Sequence, residues 1–236
     1  MKRYRQVTGC ILAGGASSRM GRDKALLEFG GVPLILHTAR LLEPLVDKVV
    51  VVGNPGRYAA LGLRAIADDT QSRGGLEKTG RGPLAGIAAA LAATHSRWNL
   101  ILACDLPYLS PEWIDWLVLR ALESPAEAVV PRTKRGIEPL AAVYRSECVA
   151  TIVAALDRGV RKVSDAIGEL RVDFVYPREW RHIDPSKLIL RNMNAPRDYE
   201  EALKWWSAAR LSGGEHVKKP RPAPKRKRRS APRRRK

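Results

Sequence analysis

Cysteine and histidine are scarce in this 236-residue sequence, and neither forms a recognisable disulfide or metal pattern. The three cysteines, Cys10, Cys104 and Cys148, contain no CxxC pair, and the four histidines contain no HxxxH pair. An odd, widely spaced set of cysteines excludes a disulfide framework and is typical of a reducing compartment. Because the usual zinc-ligand spacings are missing as well, we do not expect a zinc site.

Long hydrophobic runs are absent too. The apolar stretch near the N-terminus breaks up at Gly14 and Gly15 before it reaches the length of a signal-peptide core. No other run approaches the roughly 20 apolar residues that a membrane-spanning helix needs. We therefore expect a cytoplasmic protein without an integral membrane segment.

Acidic residues are missing from the C-terminal end. Residues 218–236 hold twelve Lys and Arg and no Asp or Glu, so the formal net charge of +18 falls to +6 for the rest of the chain. This proline-containing basic segment has too little apolar surface to fold alone. We predict a globular body over residues 1–210 and a disordered basic tail over residues 211–236 that could bind a polyanion.

Within the body, short apolar runs alternate with longer stretches of helical period. The predicted strands are Val7–Leu12, Lys48–Val52, Arg64–Ala67, Asn99–Cys104, Ala128–Pro131, Leu140–Tyr144 and Asp173–Tyr176. The predicted helices are Pro33–Leu42, Pro83–Thr94, Pro111–Leu122, Glu147–Leu156 and Arg197–Ala209. This alternation predicts an α/β fold with a mostly parallel central sheet.

A glycine-rich stretch follows the first predicted strand. Gly14 and Gly15 allow backbone N–H groups to approach a polyphosphate, and Arg19 and Lys24 add positive charge. The spacing matches neither GxGxxG nor GxxxxGK[ST], so this is not a dinucleotide fingerprint or a P-loop. The motif indicates a phosphate-binding loop of another class; the alternative is an ordinary turn with solvated bases.

A lone carboxylate follows the buried run that ends at Cys104. Asp105 comes directly after this strand, and ligands of open α/β sheets bind at the carboxyl ends of strands. A carboxylate there can hold Mg²⁺, which usually takes one or two protein carboxylates together with phosphate oxygens and waters. The alternative is that Asp105 only opens a turn before Pro107.

Four sequence blocks, in order, resemble the molybdenum cofactor guanylyltransferase family. They are LAGGASSRMGRDKALL at 12–27, GPLAG at 82–86, CDLPYL at 104–109 and NMNAP at 192–196. The resemblance implies a three-layer, Rossmann-like nucleotidyltransferase fold, with GTP and molybdopterin as substrates and Mg²⁺ as cofactor. It implies transfer of GMP from GTP to molybdenum-molybdopterin, with release of pyrophosphate.

The resemblance also implies roles for individual residues. The implied catalytic residues are Arg19, Lys24 and Asp105, and Asp105 is also the implied metal ligand. The implied nucleotide-binding residues are Leu12, Ala13, Gly14, Gly15, Lys24, Asn54, Asp68 and Asp105. The implied pterin-binding residues are Asn192 and Asn194, whose alternative role is a turn and helix cap. Val52 stands where the family has a guanine-recognising Asn, so we expect Asn54, two residues later, to take that task.

Two other functions stay open at this point. A related cytidylyltransferase or sugar-phosphate nucleotidyltransferase would keep the chemistry and change the substrates. A nucleic-acid-binding protein acting through the basic tail is the alternative from another class, although the body lacks a basic stripe interleaved with aromatic residues. The tail could equally contact an acceptor molybdoenzyme.

Overall fold

The computed structural model describes residues 2–13, 23–67 and 82–211. The strands within these residues are β1 Tyr4–Ala13, β2 Glu28–Phe29, β3 Val32–Pro33, β4 Val46–Gly53, β5 Ala65–Ile66, β6 Trp98–Ala103, β7 Ala128–Thr133, β8 Gly136–Ile137, β9 Ala141–Arg145 and β10 Val172–Val175. The helices are α1 Leu34–Leu42, α2 Pro55–Tyr58, α3 Gly82–Ala92, α4 Pro111–Glu123, α5 Cys148–Asp157, α6 Val163–Ile167 and α7 Pro196–Leu211. Two 3-10 turns span Lys24–Leu26 and Ala59–Leu61.

The central sheet has the strand order β10-β7-β9-β6-β1-β4-β5, with β8 paired to the end of β7. Strand β9 is antiparallel to both of its neighbours, β6 and β7, whereas the pairs β1–β4, β1–β6, β4–β5 and β7–β10 are parallel. Leu12 of β1 is level with Val52 of β4 and with Ala103 of β6. The carboxyl ends of these three strands therefore lie side by side at one edge of the sheet.

Alternate residues of the central strands face opposite helical layers. Ile11 belongs to a core cluster that includes buried residues of α1 and α4, whereas Cys10 and Leu12 belong to one formed with α3, α5 and α6. This alternation is what a strand covered on both faces requires, and it explains the unbroken apolar runs VVVV in β4 and LILA in β6. The mostly parallel, three-layer α/β architecture predicted from the sequence is confirmed.

The element predictions hold for every long segment. Each of the seven predicted strands and five predicted helices has a counterpart whose ends differ from the prediction by at most three residues. The elements that pattern analysis missed are β2, β3, β8, α2 and α6, which are too short to show a period. No helix in the described part of the chain is long and apolar enough to cross a membrane. Of the predicted tail, residues 211–236, only Leu211 is described, as the last residue of α7, and residues 212–236 lie outside the described residues.

Helix α7 returns to the same end of the molecule and packs on the β2–β3 hairpin. Phe29, Tyr108, Met193 and Ala202 form a small buried cluster there. The indole of Trp206 donates a hydrogen bond to the Pro107 carbonyl, with a nitrogen–oxygen distance of 3.3 Å. The loop after β6 is thereby held against α7, beside the carboxyl edge of the sheet.

Gly53, the last residue of β4, is required by the close approach of neighbouring groups. A Cβ atom built there would lie 2.3 Å from the Ala13 carbonyl oxygen and 3.1 Å from Cε2 of Tyr58. We expect Gly53→Ala to lower the free energy of unfolding by about 1–3 kcal/mol, because the strand ends must separate to admit the methyl group. Urea denaturation measures this change.

Gly86→Ala is the matched control. A Cβ atom at Gly86, inside α3, would meet its nearest neighbour, the Leu12 side chain, at an ordinary contact distance of 3.4 Å. Alanine also favours a helix interior by about 0.5–1 kcal/mol over glycine, so this variant should be as stable as the unmodified protein or slightly more so. Equal stability of Gly53→Ala and the unmodified protein would contradict the steric account.

Candidate active site

Three of the predicted site residues meet at the carboxyl edge of the sheet, although they lie far apart in the sequence. The Lys24 Nζ atom is 2.9 Å from Oδ1 of Asn194 and 3.4 Å from Oδ2 of Asp105. The side chains of Lys24 and Asp105 are 17% and 18% exposed, so the ion pair is only partly open to solvent. The fold therefore places one cation between two oxygen ligands supplied by separate loops.

Asp105 is held by continuation of the sheet beyond the end of β6. The Cys104 amide donates to the Leu12 carbonyl at 3.1 Å, which extends the pairing with β1 by one residue. The Met193 amide then donates to the Asp105 carbonyl at 2.9 Å, and the Met193 side chain is 1% exposed. Asp105 and the loop that carries Asn194 are thus fastened through their backbones.

Lys24 begins a short 3-10 turn whose cap is the preceding residue. Oδ1 of Asp23 accepts from the Ala25 amide at 3.0 Å, and the Ala25 side chain is fully buried. Oδ2 of Asp23 lies 2.8 Å from Nη1 of Arg57 and 3.1 Å from the Tyr58 hydroxyl. The backbone on which Lys24 stands is therefore anchored to the core and to α2.

Asn194 is oriented by an acid in the first turn of α7. Oδ2 of Asp198 accepts from the amides of Asn194 and Ala195, each at 2.9 Å, which is half of a capping box. The Asn194 amide is the main cause that lowers the pKa of Asp198, with further contributions from the Ala195 amide and from Arg191. This charge-assisted cap directs the Asn194 loop toward Lys24.

Burial dominates the electrostatics of Asp105. Loss of solvent raises the pKa of the Asp105 carboxyl, and the nearby Lys24 ammonium opposes part of that rise. A carboxylate in this position is more stable when a cation lies next to it. The site therefore favours positive charge at the point where Lys24 now lies.

The donor set fits magnesium when phosphate oxygens complete it. The residues that the structure describes contain no group of three or more His, Cys, Asp or Glu side chains that could hold a metal. Asp105 and Asn194 nevertheless each direct one side-chain oxygen at the Lys24 ammonium group, so this position already accommodates a cation. One carboxylate with substrate phosphates and water is an ordinary magnesium environment.

The other predicted nucleotide-binding residues divide into two groups. Leu12 and Ala13 end β1 with buried side chains, so only their backbone can face a ligand. Gly14, Gly15 and Asp68 lie outside the described residues, as does the implied catalytic residue Arg19, and the roles of all four stay predictions.

Val52, at the position where the family has a guanine-recognising Asn, is part of the hydrophobic core. Val52 is 2% exposed and belongs to the same buried cluster as Leu12, so its side chain does not face a ligand. Asn54 is exposed directly beyond the end of β4 and makes no side-chain cap to α2. Asn192 is partly buried, two residues before Asn194.

Sequence reasoning missed the residues that support the site rather than form it. Asp23 and Asp198 had a local signal, because each is an acid at the start of a helical segment. Tyr58 and Gly53 had none, since their contacts with Asp23 and Ala13 arise only when β1 and β4 pair.

The chain is similar to known proteins of one family. Residues 9–172 match the family model of the MobA-like NTP transferase domain. The chain is 35% identical over 189 residues to the molybdenum cofactor guanylyltransferase of Pseudomonas aeruginosa, covering 79% of this chain and 89% of that protein. It is 32% identical over 196 residues to the protein of that name from Syntrophotalea carbinolica, covering 83% and 88%. The chain belongs to the molybdenum cofactor guanylyltransferase family.

A solved structure supports the membership at the level of fold. Molybdopterin-guanine dinucleotide biosynthesis protein A from Archaeoglobus fulgidus is similar with a TM-score of 0.72 and 25% identity, covering 85% of this chain and 99% of that one. The family resemblance predicted from four sequence blocks is confirmed. The match to the MobA-like domain includes Lys24 and Asp105 and ends before the Asn192–Asn194 segment.

The Asp198 cap leads to a prediction about stability and pH. Because its pKa is lowered from 3.8 in the folded state, ionised Asp198 stabilises the guanylyltransferase fold above about pH 4, and this contribution is lost as pH falls through the lowered value. We expect Asp198→Asn to melt a few degrees lower than the unmodified protein at pH 7, and the difference to narrow toward pH 3.

Thermal unfolding across this pH range measures the effect. Glu43→Gln, at an exposed position after α1, controls for the loss of one negative charge. A melting difference for Asp198→Asn that stays constant or widens with acid would show that the Asp198 charge does not stabilise the loop.

Proposed function

We propose that this chain transfers GMP from GTP to molybdenum-molybdopterin, forming the guanine dinucleotide cofactor and releasing pyrophosphate. The observation that carries the proposal is the contact of the Lys24 ammonium with Asp105 and Asn194 at the carboxyl edge of the sheet. The substrates follow from the names of the relatives in Pseudomonas aeruginosa and Syntrophotalea carbinolica, which the chain matches over most of its length.

The chemistry needs positioning and charge more than proton transfer. The terminal phosphate of the pterin is already an anion, so it can attack the α-phosphorus of GTP in line without a general base. Lys24 neutralises charge that builds on the phosphate oxygens, and a fixed ammonium in a partly buried site does this more effectively than solvent. Asn194, whose side-chain oxygen accepts from Lys24, is the proposed contact for the pterin acceptor.

Asp105 is the proposed magnesium ligand. When bound there, the ion neutralises phosphate charge and holds the phosphate oxygens in place for in-line displacement. Asp105 contributes the carboxylate, and its backbone attachment to Met193 keeps that carboxylate beside the Asn194 loop. Burial of the carboxylate strengthens its attraction for any cation.

The remaining site roles belong to the same proposal. Arg19 and the backbone of Gly14 and Gly15 would bind phosphate, Asp68 and Asn54 the nucleoside, and Asn192 with Asn194 the pterin. We also propose a cytoplasmic location, with the basic tail as a contact for a polyanion or an acceptor molybdoenzyme.

Removal of the central charges should abolish most activity. We expect Lys24→Ala and Asp105→Asn each to lower turnover by more than about 100-fold, because each deletes charge directed at the transferring phosphate. Pyrophosphate release at saturating GTP, molybdenum-molybdopterin and Mg²⁺ is the measurement.

Two controls remove equivalent charges elsewhere. Lys48→Ala changes an exposed lysine on β4, and Asp173→Asn changes a carboxylate on β10 that pairs with Arg120. Both should keep turnover within about twofold of the unmodified enzyme, as expected of surface substitutions. Near-normal turnover of either Lys24→Ala or Asp105→Asn would reject the role assigned to that residue.

Substrate choice tests the proposed function as a whole. We predict that GTP is preferred over ATP, CTP and UTP, and that Asn54→Ala erodes this preference more than it lowers turnover at saturation. A pocket that hydrogen-bonds a base penalises a base that leaves those groups unpaired by roughly 1–3 kcal/mol per buried group. The measurement is kcat/KM for each triphosphate with molybdenum-molybdopterin, for both proteins.

Each outcome of that panel has a distinct meaning. Preference of the unmodified enzyme for CTP would reject guanylyl transfer and favour a cytidylyltransferase. Unchanged GTP preference in Asn54→Ala would assign base recognition to backbone groups near Leu12 and Ala13. Absence of pyrophosphate release with all four triphosphates would reject the proposed acceptor.

A further inference from the structure

The Tyr58 hydroxyl joins two points of the chain that lie on either side of residues 14–22. It lies 2.9 Å from the carbonyl oxygen of Ala13 and 3.1 Å from Oδ2 of Asp23. The Tyr58 side chain is 1% exposed, so water does not substitute freely for these contacts. One hydroxyl proton serves two acceptors, and the contact therefore attracts both the end of β1 and the residue before Lys24.

The Asp23 carboxylate is held from three directions. Oδ1 accepts from the Ala25 amide, while Oδ2 accepts from Nη1 of Arg57 and contacts the Tyr58 hydroxyl. Its side chain is 17% exposed, compared with 52% for Arg57. Because Lys24 follows directly, the orientation of Asp23 determines where the Lys24 backbone begins.

The contacts of Tyr58 with Ala13 and Asp23 depend on the absence of a side chain at Gly53, at the end of β4. Gly53 is level with Ala13, and any Cβ at Gly53 would press on both the Ala13 carbonyl and the Tyr58 ring. Burial, followed by the charge of Asp23, raises the pKa of Tyr58 well above its ordinary value, so the hydroxyl stays protonated as a donor. Three independent features thus converge on the same contact.

We infer that Tyr58 and Asp23 are positioning residues for the catalytic ammonium of Lys24. They fix the backbone from which the Lys24 side chain reaches Asp105 and Asn194, and they do so without contacting either of those residues in the described structure. This inference rests on the proposed function, because it assigns a task to the residues behind the proposed site.

The molecule contains a matched pair with no such connection. The Tyr4 hydroxyl donates to Oδ1 of Asp115 at 2.7 Å, and Tyr4 is 4% exposed. Tyr4 and Tyr58 belong to the same core cluster, but Tyr4 begins β1 at the edge opposite the site. The two pairs share their chemistry and burial and differ in their distance from Lys24.

The test compares Tyr58→Phe with Tyr4→Phe. Each substitution removes one hydroxyl and keeps the ring, so both report the loss of a tyrosine–aspartate hydrogen bond. We expect Tyr58→Phe to lower kcat/KM for GTP by about 10- to 100-fold, the scale expected for a small misplacement of a catalytic group. Tyr4→Phe should stay within about twofold of the unmodified enzyme. Equal effects of the two variants, or full turnover of Tyr58→Phe, would overturn the inference.

A double-mutant cycle separates positioning from general loss of stability. If Tyr58 acts through Lys24, adding Tyr58→Phe to Lys24→Ala should change turnover by less than about twofold, because the group to be positioned is already gone. If Tyr58→Phe lowered turnover only by destabilising the protein, its fold-loss would multiply the fold-loss caused by Lys24→Ala. That result would overturn the inference.

A second variant tests the same inference at Asp23. Asp23→Asn is the second variant if Tyr58→Phe does not fold, since it keeps the shape of the side chain and weakens its contacts with Arg57 and Tyr58. It should show the same loss and the same non-additivity with Lys24→Ala.

Affinity for Mg²⁺-GTP, measured by calorimetry without pterin, gives a reading that does not depend on the acceptor. Tyr58→Phe should weaken this binding severalfold and Tyr4→Phe should not; equal affinity of the two would overturn the inference. Failure of the proposed function appears differently, as absence of pyrophosphate release by the unmodified enzyme.

Discussion

The ammonium group of Lys24 joins three parts of this fold that the sequence keeps far apart. It contacts Asp105, which follows β6, and Asn194, which precedes α7, while Lys24 itself belongs to the glycine-rich motif that follows β1. Burial makes the Asp105 carboxylate dependent on a neighbouring cation, and Lys24 supplies one. The same pair of charges suits a site for phosphates and magnesium. The Asp105 carboxylate attracts the metal cation, and the Lys24 ammonium attracts the phosphate oxygens.

The sheet makes this contact possible. Parallel strands β1, β4 and β6 end level with one another, so the residues after them share one edge, and Gly53 lets two of those ends approach closely. Contacts of Met193 and of α7 with the loop after β6 then hold the Asn194 segment at that edge. Apolar layers on both faces supply the rigidity, and the polar loops at the edge supply the chemistry.

The sequence predicts the frame better than the supports of the site. Strand β6 and helix α4 were predictable because an unbroken apolar run and a Ser-Pro-Glu helix start are local signals. The site roles of Lys24 and Asp105 were predictable because Lys24 is a base in the glycine-rich motif after the first strand, and Asp105 is a carboxylate directly after a buried strand. The contact of Tyr58 with Asp23 was not, since it joins residues from different strand ends and has no sequence period. The burial of Val52 depends likewise on its pairing with Leu12.

The central claim is that the Lys24–Asp105–Asn194 contact marks the place where the phosphates of GTP bind. A crystal structure of the enzyme with Mg²⁺ and a non-hydrolysable GTP analogue tests it most directly. We expect an α-phosphate oxygen within hydrogen-bonding distance of Lys24 Nζ and the metal ion coordinated by Asp105. Triphosphate bound elsewhere, with Lys24 still paired to Asp105 and Asn194 alone, would contradict the account.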